Sequence, residues 1–197
     1  TLVRTIMGLT TRMTGGLTIA GEDVTFRETH ERSAAGVGYI PQGRGILPKF
    51  TVAENIQLGT FARNDQQRSI PDMCLELFPY LADNLEKRAG TLSGGQQQQL
   101  AIARALARGR EIFILDEPTA ALGVEQQANV NKLILKLKED KKTVLLISHN
   151  LEHVFEVADR LVILRRGEKV GERVKKSTNK EEVVGLITGA IKKDFKN

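Results

Sequence analysis

Residues 111–147 read EIFILDEPTAALGVEQQANVNKLILKLKEDKKTVLLI and contain the repeating unit on which the fold depends. Two short apolar runs, at 111–115 and 143–147, have the length of buried strands, and the segment 124–139 between them has the period of an amphipathic helix. The apolar positions of this helix are Val130, Leu133, Ile134 and Leu137. Buried strands that alternate with amphipathic helices predict a parallel sheet covered on both faces, which is an α/β fold.

The same alternation extends to both sides of this unit. We expect a helix over 1–8 that Gly8 ends, and another helix near 151–157. Further strands are predicted at 17–20, 37–40, 160–164 and 169–174. The segment 51–107 shows only helical patterns, so we expect it to form an all-helical subdomain inserted into the sheet domain.

Two helix starts inside this subdomain are marked by local residue chemistry. Thr51 is a good N-cap, and Glu54 at the third helical position completes a capping box. Pro71 is suited to open a second helix, because the amide hydrogen that proline lacks has no partner at that position. The residues predicted to share one side of this second helix are Met73, Leu77 and Leu81.

Composition and charge exclude several classes of protein. The net charge is +5, and residues 165–197 hold ten Lys and Arg against five Asp and Glu, so the excess lies in the tail. Nucleic-acid-binding domains more often carry a basic stripe with aromatic residues, so we expect no nucleic-acid partner. The single cysteine, Cys74, excludes an internal disulfide. No apolar run approaches the roughly 20 residues of a membrane helix, so any membrane association is expected to be peripheral.

The strongest functional motif is Leu92-Ser93-Gly94-Gly95-Gln96, which runs directly into a predicted helix. Ser93 is a good N-cap, and two glycines leave the first amides of the helix open to close approach by an anion. An ordinary Ser-capped helix is the alternative. Two consecutive glycines weaken that alternative, because each costs up to about 1 kcal/mol in a helix relative to alanine.

Two carboxylates, Asp116 and Glu117, follow the apolar run at 112–115. Ligands of open α/β sheets bind at the carboxyl ends of the strands, where one carboxylate can hold Mg²⁺ and a second can deprotonate a water. A pair of acids in a surface loop is the alternative. His149 follows the next strand and Gln42 follows the strand at 37–40, so all four side chains are predicted at one edge of the sheet.

The order of these motifs resembles the ABC ATPase family over essentially the whole chain. LSGGQ is the signature sequence of that family, and Asp116-Glu117 is similar to the end of its Walker B strand. The resemblance implies a P-loop NTPase-like parallel sheet core with an inserted helical subdomain. It also implies a head-to-tail dimer that holds ATP and Mg²⁺ between one phosphate loop and the partner's signature helix.

The resemblance assigns a role to each candidate residue. Asp116 and Gln42 would coordinate Mg²⁺, Glu117 would be the general base, His149 would contact the γ-phosphate, and Gln42 would also sense the membrane subunit. The residues expected to act in trans on the partner's ATP are Ser93, Gly94, Gly95 and Gln96.

The resemblance is incomplete at two positions. The family carries a phosphate loop, G-x-x-x-x-G-K-[ST], and no Gly-Lys pair occurs in these 197 residues. In relatives the loop often continues Thr-Thr-Leu, and this chain begins Thr1-Leu2. We therefore place Thr1 in the nucleotide site and expect the N-terminal strand and the Walker A loop to be missing. Gly123 stands where many relatives have the aspartate of the D-loop.

The resemblance also predicts organisation and partners. Residues 1–42 and 109–175 would form the two parts of a RecA-like core, 43–108 the helical signature subdomain, and 176–197 a basic helical tail. The first part is similar to urea and branched-chain amino-acid importers, and the last part to sugar importers. The expected function is that of an ATPase bound to a permease at the cytoplasmic face of a membrane. The alternative is a fragment or scaffold that does not hydrolyse ATP.

Overall fold

The computed structural model describes residues 2–10, 14–61, 63, 66–120 and 122–192. It divides into two compact units, 1–147 and 148–197. The helices are α1 (Leu2–Ile6), α2 (Thr29–Ala34), α3 (Val52–Thr60), α4 (Asp72–Glu76), α5 (Pro79–Ala82), α6 (Gly94–Leu106), α7 (Val124–Glu139), α8 (Leu151–Val157) and α9 (Lys180–Thr188). The strands are β1 (Thr18–Ile19), β2 (Glu22–Asp23), β3 (Val37–Ile40), β4 (Ile112–Asp116), β5 (Thr143–Ile147), β6 (Arg160–Arg165) and β7 (Glu168–Val174).

The first unit is built on a parallel sheet in the order β3–β4–β5, as the alternation of strands and helices predicts. The middle strand β4 has three consecutive buried residues, Phe113, Ile114 and Leu115. The predicted helix 124–139 is confirmed, and its four predicted core positions are all buried. A mixed α/β fold with a parallel sheet is therefore correct for this unit.

The last two strands depart from the prediction of one parallel sheet. In the second unit β6 and β7 pair antiparallel, with Arg166 and Gly167 in left-handed conformations between them. A connection this short permits only an antiparallel pair, because a parallel crossover needs a dozen or more residues. The hairpin packs against α8 and α9 through one core cluster, whose buried members are Leu161, Ile163, Val170, Val183 and Leu186.

Two elements near the start of the chain were not predicted from the sequence as elements of their own. Strand β2 pairs with β1 as a tight hairpin that turns at Gly21, with a φ of 86°. Helix α2 follows, and its buried Arg32 donates hydrogen bonds to the carbonyl oxygens of Thr5 and Ile6 at the end of α1. The hairpin and α1 thereby form one core with the sheet.

The helical segment 51–107 contains the predicted capped helix. The side chain of Thr51 accepts a hydrogen bond from the amide of Glu54, whose carboxylate accepts one from the amide of Thr51. This reciprocal pair is the predicted capping box. Among the described residues the segment contains only helices and one isolated bridge, between Thr51 and Arg88.

The predicted helix with Met73, Leu77 and Leu81 on one side is wrong. The chain forms two short helices, α4 and α5, and the buried residues are Cys74, Phe78 and Leu81. Pro79 explains the break, because its ring disfavours helical backbone at Phe78, which has a φ of −134°. The break rotates the second helix, so a different set of side chains faces α6.

The sulfur of Cys74 is fully buried and donates a weak hydrogen bond to the carbonyl oxygen of Ala103 at 3.3 Å. Burial raises the pKa of this thiol to about 12. At pH 8 the thiolate fraction is then about 1,000-fold below that of an ordinary thiol, so we expect a disulfide reagent to modify native protein extremely slowly. The same reagent should react within minutes in denaturant. Rapid modification of the native chain would contradict the burial of Cys74 and the raised pKa of its thiol.

Helices α3 and α6 cross at Gly59, where a Cβ atom would lie 2.0 Å from the carbonyl oxygen of Arg104. A backbone oxygen cannot move aside as the end of a flexible side chain can. We therefore expect Gly59→Ala to lower the free energy of unfolding by about 2–3 kcal/mol despite the better helix propensity of alanine. Urea denaturation measures the change. Ala53→Gly, a loss of propensity in the same helix, serves as the control and should cost about 1 kcal/mol or less.

No described helix combines the length and the apolar character that crossing a membrane requires.

Candidate functional site

The carboxyl edge of the parallel sheet brings three strand ends together in the first unit. The register pairs Ile40 with Leu115, and Asp116 with Ile147. Gln42 therefore follows the end of β3, the strand that neighbours β4, while Asp116 ends β4 and Glu117 comes directly after it. Gln42 is exposed, and both acids are half-buried. The register thus places the ends of β3 and β4 side by side, and the contact of Gln42 with the two carboxylates stays a prediction.

Glu117 has a left-handed backbone, with a φ of 51°. Its amide donates to the carbonyl oxygen of Ile147 at 2.9 Å, and its carbonyl oxygen accepts from the amide of Ala120. A left-handed conformation is unfavourable for a residue with a side chain, and such strain is concentrated at functional sites. The two hydrogen bonds hold this turn in place at the end of the sheet.

Tyr39 is a neighbour of the Asp116 carboxylate that the sequence reasoning missed. Burial raises the pKa of the Tyr39 phenol, the negative charge of Asp116 raises it further, and the guanidinium of Arg4 opposes both effects. The phenol therefore stays protonated and able to donate a hydrogen bond at neutral pH. The alternation of side chains in β3 could have predicted which face of the sheet Tyr39 lies on. It could not have predicted the proximity of Asp116, because that residue belongs to β4.

The signature motif forms the start of α6. The hydroxyl of Ser93 accepts a hydrogen bond from the amide of Gln96, and the Gln96 side-chain oxygen accepts one from the amide of Ser93 at 2.9 Å. The amides of Gly94 and Gly95 lie in the first turn, where a helix offers them no internal acceptor. The motif thus has the form of an anion-binding helix start.

Both signature glycines are covered by polar side chains. A Cβ atom on Gly94 would lie 2.9 Å from a guanidinium nitrogen of Arg44, and one on Gly95 would lie 2.0 Å from the side-chain oxygen of Gln126. Larger residues at these positions would displace Arg44 and Gln126. Both neighbours are the ends of flexible side chains, so they show which groups lie over the two glycines but do not by themselves require glycine at these positions.

Arg44 and Arg104 are further residues of this region that the sequence reasoning did not identify. Arg44 donates to the side-chain oxygen of Gln97 at 3.0 Å, and Arg104 donates to the carbonyl oxygens of Gly45 and Arg44. Burial lowers the pKa of the Arg104 guanidinium. The run Gly43-Arg44-Gly45 indicates an unusual turn, but no local pattern could have revealed its partners on α6.

A cavity of about 600 Å³ adjoins the signature helix. It is lined by residues of α4 and α5, by Gln96 and Gln99 of α6, and by the first turns of α7. Gln126, which covers Gly95, belongs to its wall. The motif therefore lies beside a polar depression and not inside a closed core.

His149 belongs to the second unit. It is exposed, and it lies between Ser148, whose hydroxyl accepts from the amide of Asn150, and the N-cap Asn150 of α8. Its position relative to Glu117 stays a prediction. Thr1, which we also assigned to the nucleotide site, lies outside the described residues.

The acidic groups of the sheet edge fit Mg²⁺. Within the part of the chain that the structure describes, no three His, Cys, Asp or Glu side chains form a metal-binding cluster. Mg²⁺ needs no such cluster, because it is usually held by one or two carboxylates together with substrate phosphates and water. Asp116, half-buried at the end of β4, supplies a carboxylate of this kind, and Glu117 beside it stays available for another task.

Sheet topology, a capped Gly-Gly helix start and paired carboxylates at a strand end define a nucleotide-binding protein of the P-loop type. Residues 1–120 match the ABC transporter family. The chain is 34% identical over 203 residues to the fructose import ATP-binding protein FrcA of Rhizobium meliloti, and the match covers 96% of this chain and 78% of that protein. The chain belongs to the ABC transporter family as one of its ATP-binding proteins.

Relatives of a second kind match over a similar length. The chain is 35% identical to a probable branched-chain amino acid transport ATP-binding protein, LivF, of Archaeoglobus fulgidus, over 85% of this chain and 72% of that one. Among solved structures, the ATP-binding cassette MJ0796 in a dimeric post-hydrolysis state with ADP and phosphate has a TM-score of 0.78 at 26% identity. That match covers 90% of this chain and 80% of the solved chain. The predicted resemblance to both sugar and amino-acid importers is confirmed.

Proposed function

We propose that this chain is the ATP-binding and ATP-hydrolysing subunit of an importer for a small polar solute. The observation that carries the proposal is the pair Asp116 and Glu117, which ends the central strand at the carboxyl edge of a parallel sheet. The relatives named as fructose and branched-chain amino-acid transport proteins support a sugar or an amino acid as the transported class. The name of FrcA, a fructose import protein, supports import as the direction.

In this proposal each carboxylate has its own task. Asp116, with Gln42, holds Mg²⁺, which when bound neutralises the charge of the transferring phosphate. Glu117 accepts a proton from the attacking water and orients it in line with the bond that breaks. The two hydrogen bonds that hold the turn at residue 117 keep the base in one position. The contact of His149 with the γ-phosphate is proposed from the family resemblance alone.

The signature helix acts on a second nucleotide in this proposal. The amides of Gly94 and Gly95 in the first turn of α6, with the hydroxyl of Ser93 and the side chain of Gln96, bind the phosphates of ATP held by a partner subunit. The partner is a second ATP-binding domain in a head-to-tail dimer. Permease subunits dock near residues 42–50, where Leu47 and Phe50 are partly exposed. The protein then lies at the cytoplasmic face of a membrane as a peripheral subunit.

A non-hydrolysing protein with the same fold is the second candidate. In this candidate the phosphate-binding lysine of a Gly-Lys pair takes no part, and the fold serves for docking alone. Such a protein would keep the docking surface and the fold. Thr1 and the remaining site residues would then have no catalytic task.

Mg²⁺-dependent ATP hydrolysis distinguishes the two candidates. We would measure phosphate release by the 197-residue chain and by the same chain extended with an upstream segment that carries a Gly-Lys loop. Hydrolysis by either form supports the proposed ATPase, and restoration by the extension assigns the missing chemistry to that loop. If neither form hydrolyses ATP and neither binds nucleotide, the result supports the non-hydrolysing scaffold.

A further inference from the structure

The loop that follows Gln42 has a backbone that needs external support. Gly43, Arg44 and Gly45 have φ angles of 138°, 65° and 60°, so three successive residues are left-handed. This conformation is unfavourable for Arg44, because its Cβ atom crowds the following carbonyl group. The internal hydrogen bonds of the turn are two, from the amide of Arg44 to Pro41 and from that of Gly45 to Gly43. Strain of this kind persists only where the surroundings hold it.

Arg104 supplies the first support from outside the loop. Its guanidinium donates to the carbonyl oxygen of Gly45 at 2.8 Å and to that of Arg44 at 3.2 Å. Both acceptors belong to the left-handed turn. Arg104 lies in the last turn of α6, so the loop is tied to the C-terminal part of the signature helix.

Arg44 supplies a second attachment, in which the loop residue is the donor and the helix α6 residue is the acceptor. Its guanidinium reaches the side-chain oxygen of Gln97 at 3.0 Å, and the Gln97 amide nitrogen donates to the carbonyl oxygen of Leu92 at 3.1 Å. This chain of hydrogen bonds ends at the residue before Ser93. The loop is thus also tied to the first turn of α6.

The downstream end of the loop is held by α3. Asn55 is fully buried, accepts from the amide of Leu47 at 2.9 Å and donates to the Leu47 carbonyl oxygen at 3.0 Å. Helix α3 in turn contacts α6 at Gly59 and Arg104. The attachments of residues 44–47 through Arg104, Gln97 and Asn55 therefore all lead to helix α3 or helix α6.

We infer that Arg44 and Arg104 are positioning residues that join the loop after Gln42 to the signature helix, and that this attachment limits where the Gln42 side chain can lie. The inference rests on the proposed function for the roles of Gln42 and the motif. Neither arginine touches the reacting atoms in this scheme. Their effect on hydrolysis passes through the distance between the Gln42 side chain and the sheet edge.

Kinetics of the hydrolysing form of the full chain give the first test. Arg44→Ala should lower kcat about 10-fold with less than about a twofold change in KM for ATP, since misplacement of catalytic groups slows the chemical step. Gln97→Ala should have the same effect, and the double variant should lose no more than either single variant. Arg88→Ala, the loss of an exposed arginine in the same subdomain, is the matched control.

A direct contact between Arg44 and phosphate gives a different pattern. In that case Arg44→Ala raises KM, Gln97→Ala leaves KM unchanged, and the two effects add in the double variant. This pattern overturns the inference, and so does an Arg44→Ala variant with unchanged kcat.

Hydrogen exchange of residues 41–50 gives a second test that does not need hydrolysis. In the 197-residue chain, Arg104→Ala should speed exchange of this peptide about 10-fold or more, whereas a peptide over 160–174 in the second unit should not change. Unchanged exchange at 41–50 overturns the inference. If the wild-type protein does not hydrolyse ATP, the proposed function fails, and the exchange experiment still decides whether the two arginines hold the loop.

Discussion

Replacing Glu117 with glutamine is expected to lower Mg²⁺-dependent ATP hydrolysis at least about 100-fold while leaving nucleotide binding nearly intact. A positioned general base contributes about 10²–10⁴ to a rate, and an amide oxygen cannot accept the proton of the attacking water at neutral pH. Glutamine has the shape of glutamate and carries no new backbone preference at the left-handed φ of 51°. The loss should therefore fall on kcat and not on KM or folding.

The other end of the same strand offers a matched control for this prediction. Glu111 precedes β4, is exposed, and forms an ion pair with Lys142. Glu111→Gln removes the same charge far along the strand from the carboxyl edge, so hydrolysis should stay within about twofold of wild type. A Glu117→Gln protein that keeps more than about a tenth of the wild-type kcat would place the base at another residue.

The second large effect is expected at Arg32. This side chain is 5% exposed, and its guanidinium donates to the carbonyl oxygens of Thr5, Ile6, Thr25 and Arg27. Arg32→Ala leaves these acceptors without their donor in a buried place, and each such group costs about 1–3 kcal/mol. We expect a loss of about 3 kcal/mol or more in the free energy of unfolding, measured by urea denaturation.

Arg27 provides the comparison for Arg32. Its side chain is 41% exposed and pairs with Glu22, whose side chain is 60% exposed. Exposed ion pairs contribute about 1 kcal/mol or less, so Arg27→Ala should change the stability little. Equal losses from Arg27→Ala and Arg32→Ala would show that the buried hydrogen bonds at the end of α1 do not support the fold.

Local patterns were sufficient for most of the individual elements. Strands at 37–40 and 143–147 and the helix at 124–139 lie where the sequence predicts them. The capping boxes that begin at Thr51 and Ser93 also follow from residues within three positions of each other. Period and cap chemistry act over a few neighbouring residues, which is why they can be read without the fold.

Two predictions, one helix from Met73 to Leu81 and a parallel arrangement of the last two strands, were wrong although a nearby residue or turn indicated otherwise. Pro79 ends α4 and starts α5, although the apolar spacing from Met73 to Leu81 favours one helix. The short turn at Arg166 and Gly167 imposes an antiparallel pair, although the alternation before it favours a parallel sheet. Both signals were present in the sequence.

For the candidate site, the sequence predicts which residues belong to it, but not all of their positions in space. The identities of Gln42, Asp116, Glu117 and the residues from Ser93 to Gln96 come from motif order alone, and their catalytic roles stay predictions. The pairing of β3 with β4, which brings the strand ends before Gln42 and before Asp116 together, could be anticipated from the α/β pattern. Neither the sequence pattern nor the structure of the two units establishes where His149 lies relative to these residues.

The sequence by itself determined the class of fold and the positions of most strands and helices, because these depend on periodicity and on the chemistry of neighbouring residues. It also predicted, from motifs of adjacent residues, which side chains belong to the candidate nucleotide site. Only the tertiary structure showed that Arg32 caps α1, that Gly59 allows α3 to touch the backbone of α6, and that Arg44 and Arg104 hold the loop after Gln42. These contacts join residues 26 to 60 positions apart. Their partners are chosen by packing in three dimensions, and no local pattern in the chain encodes such a pairing.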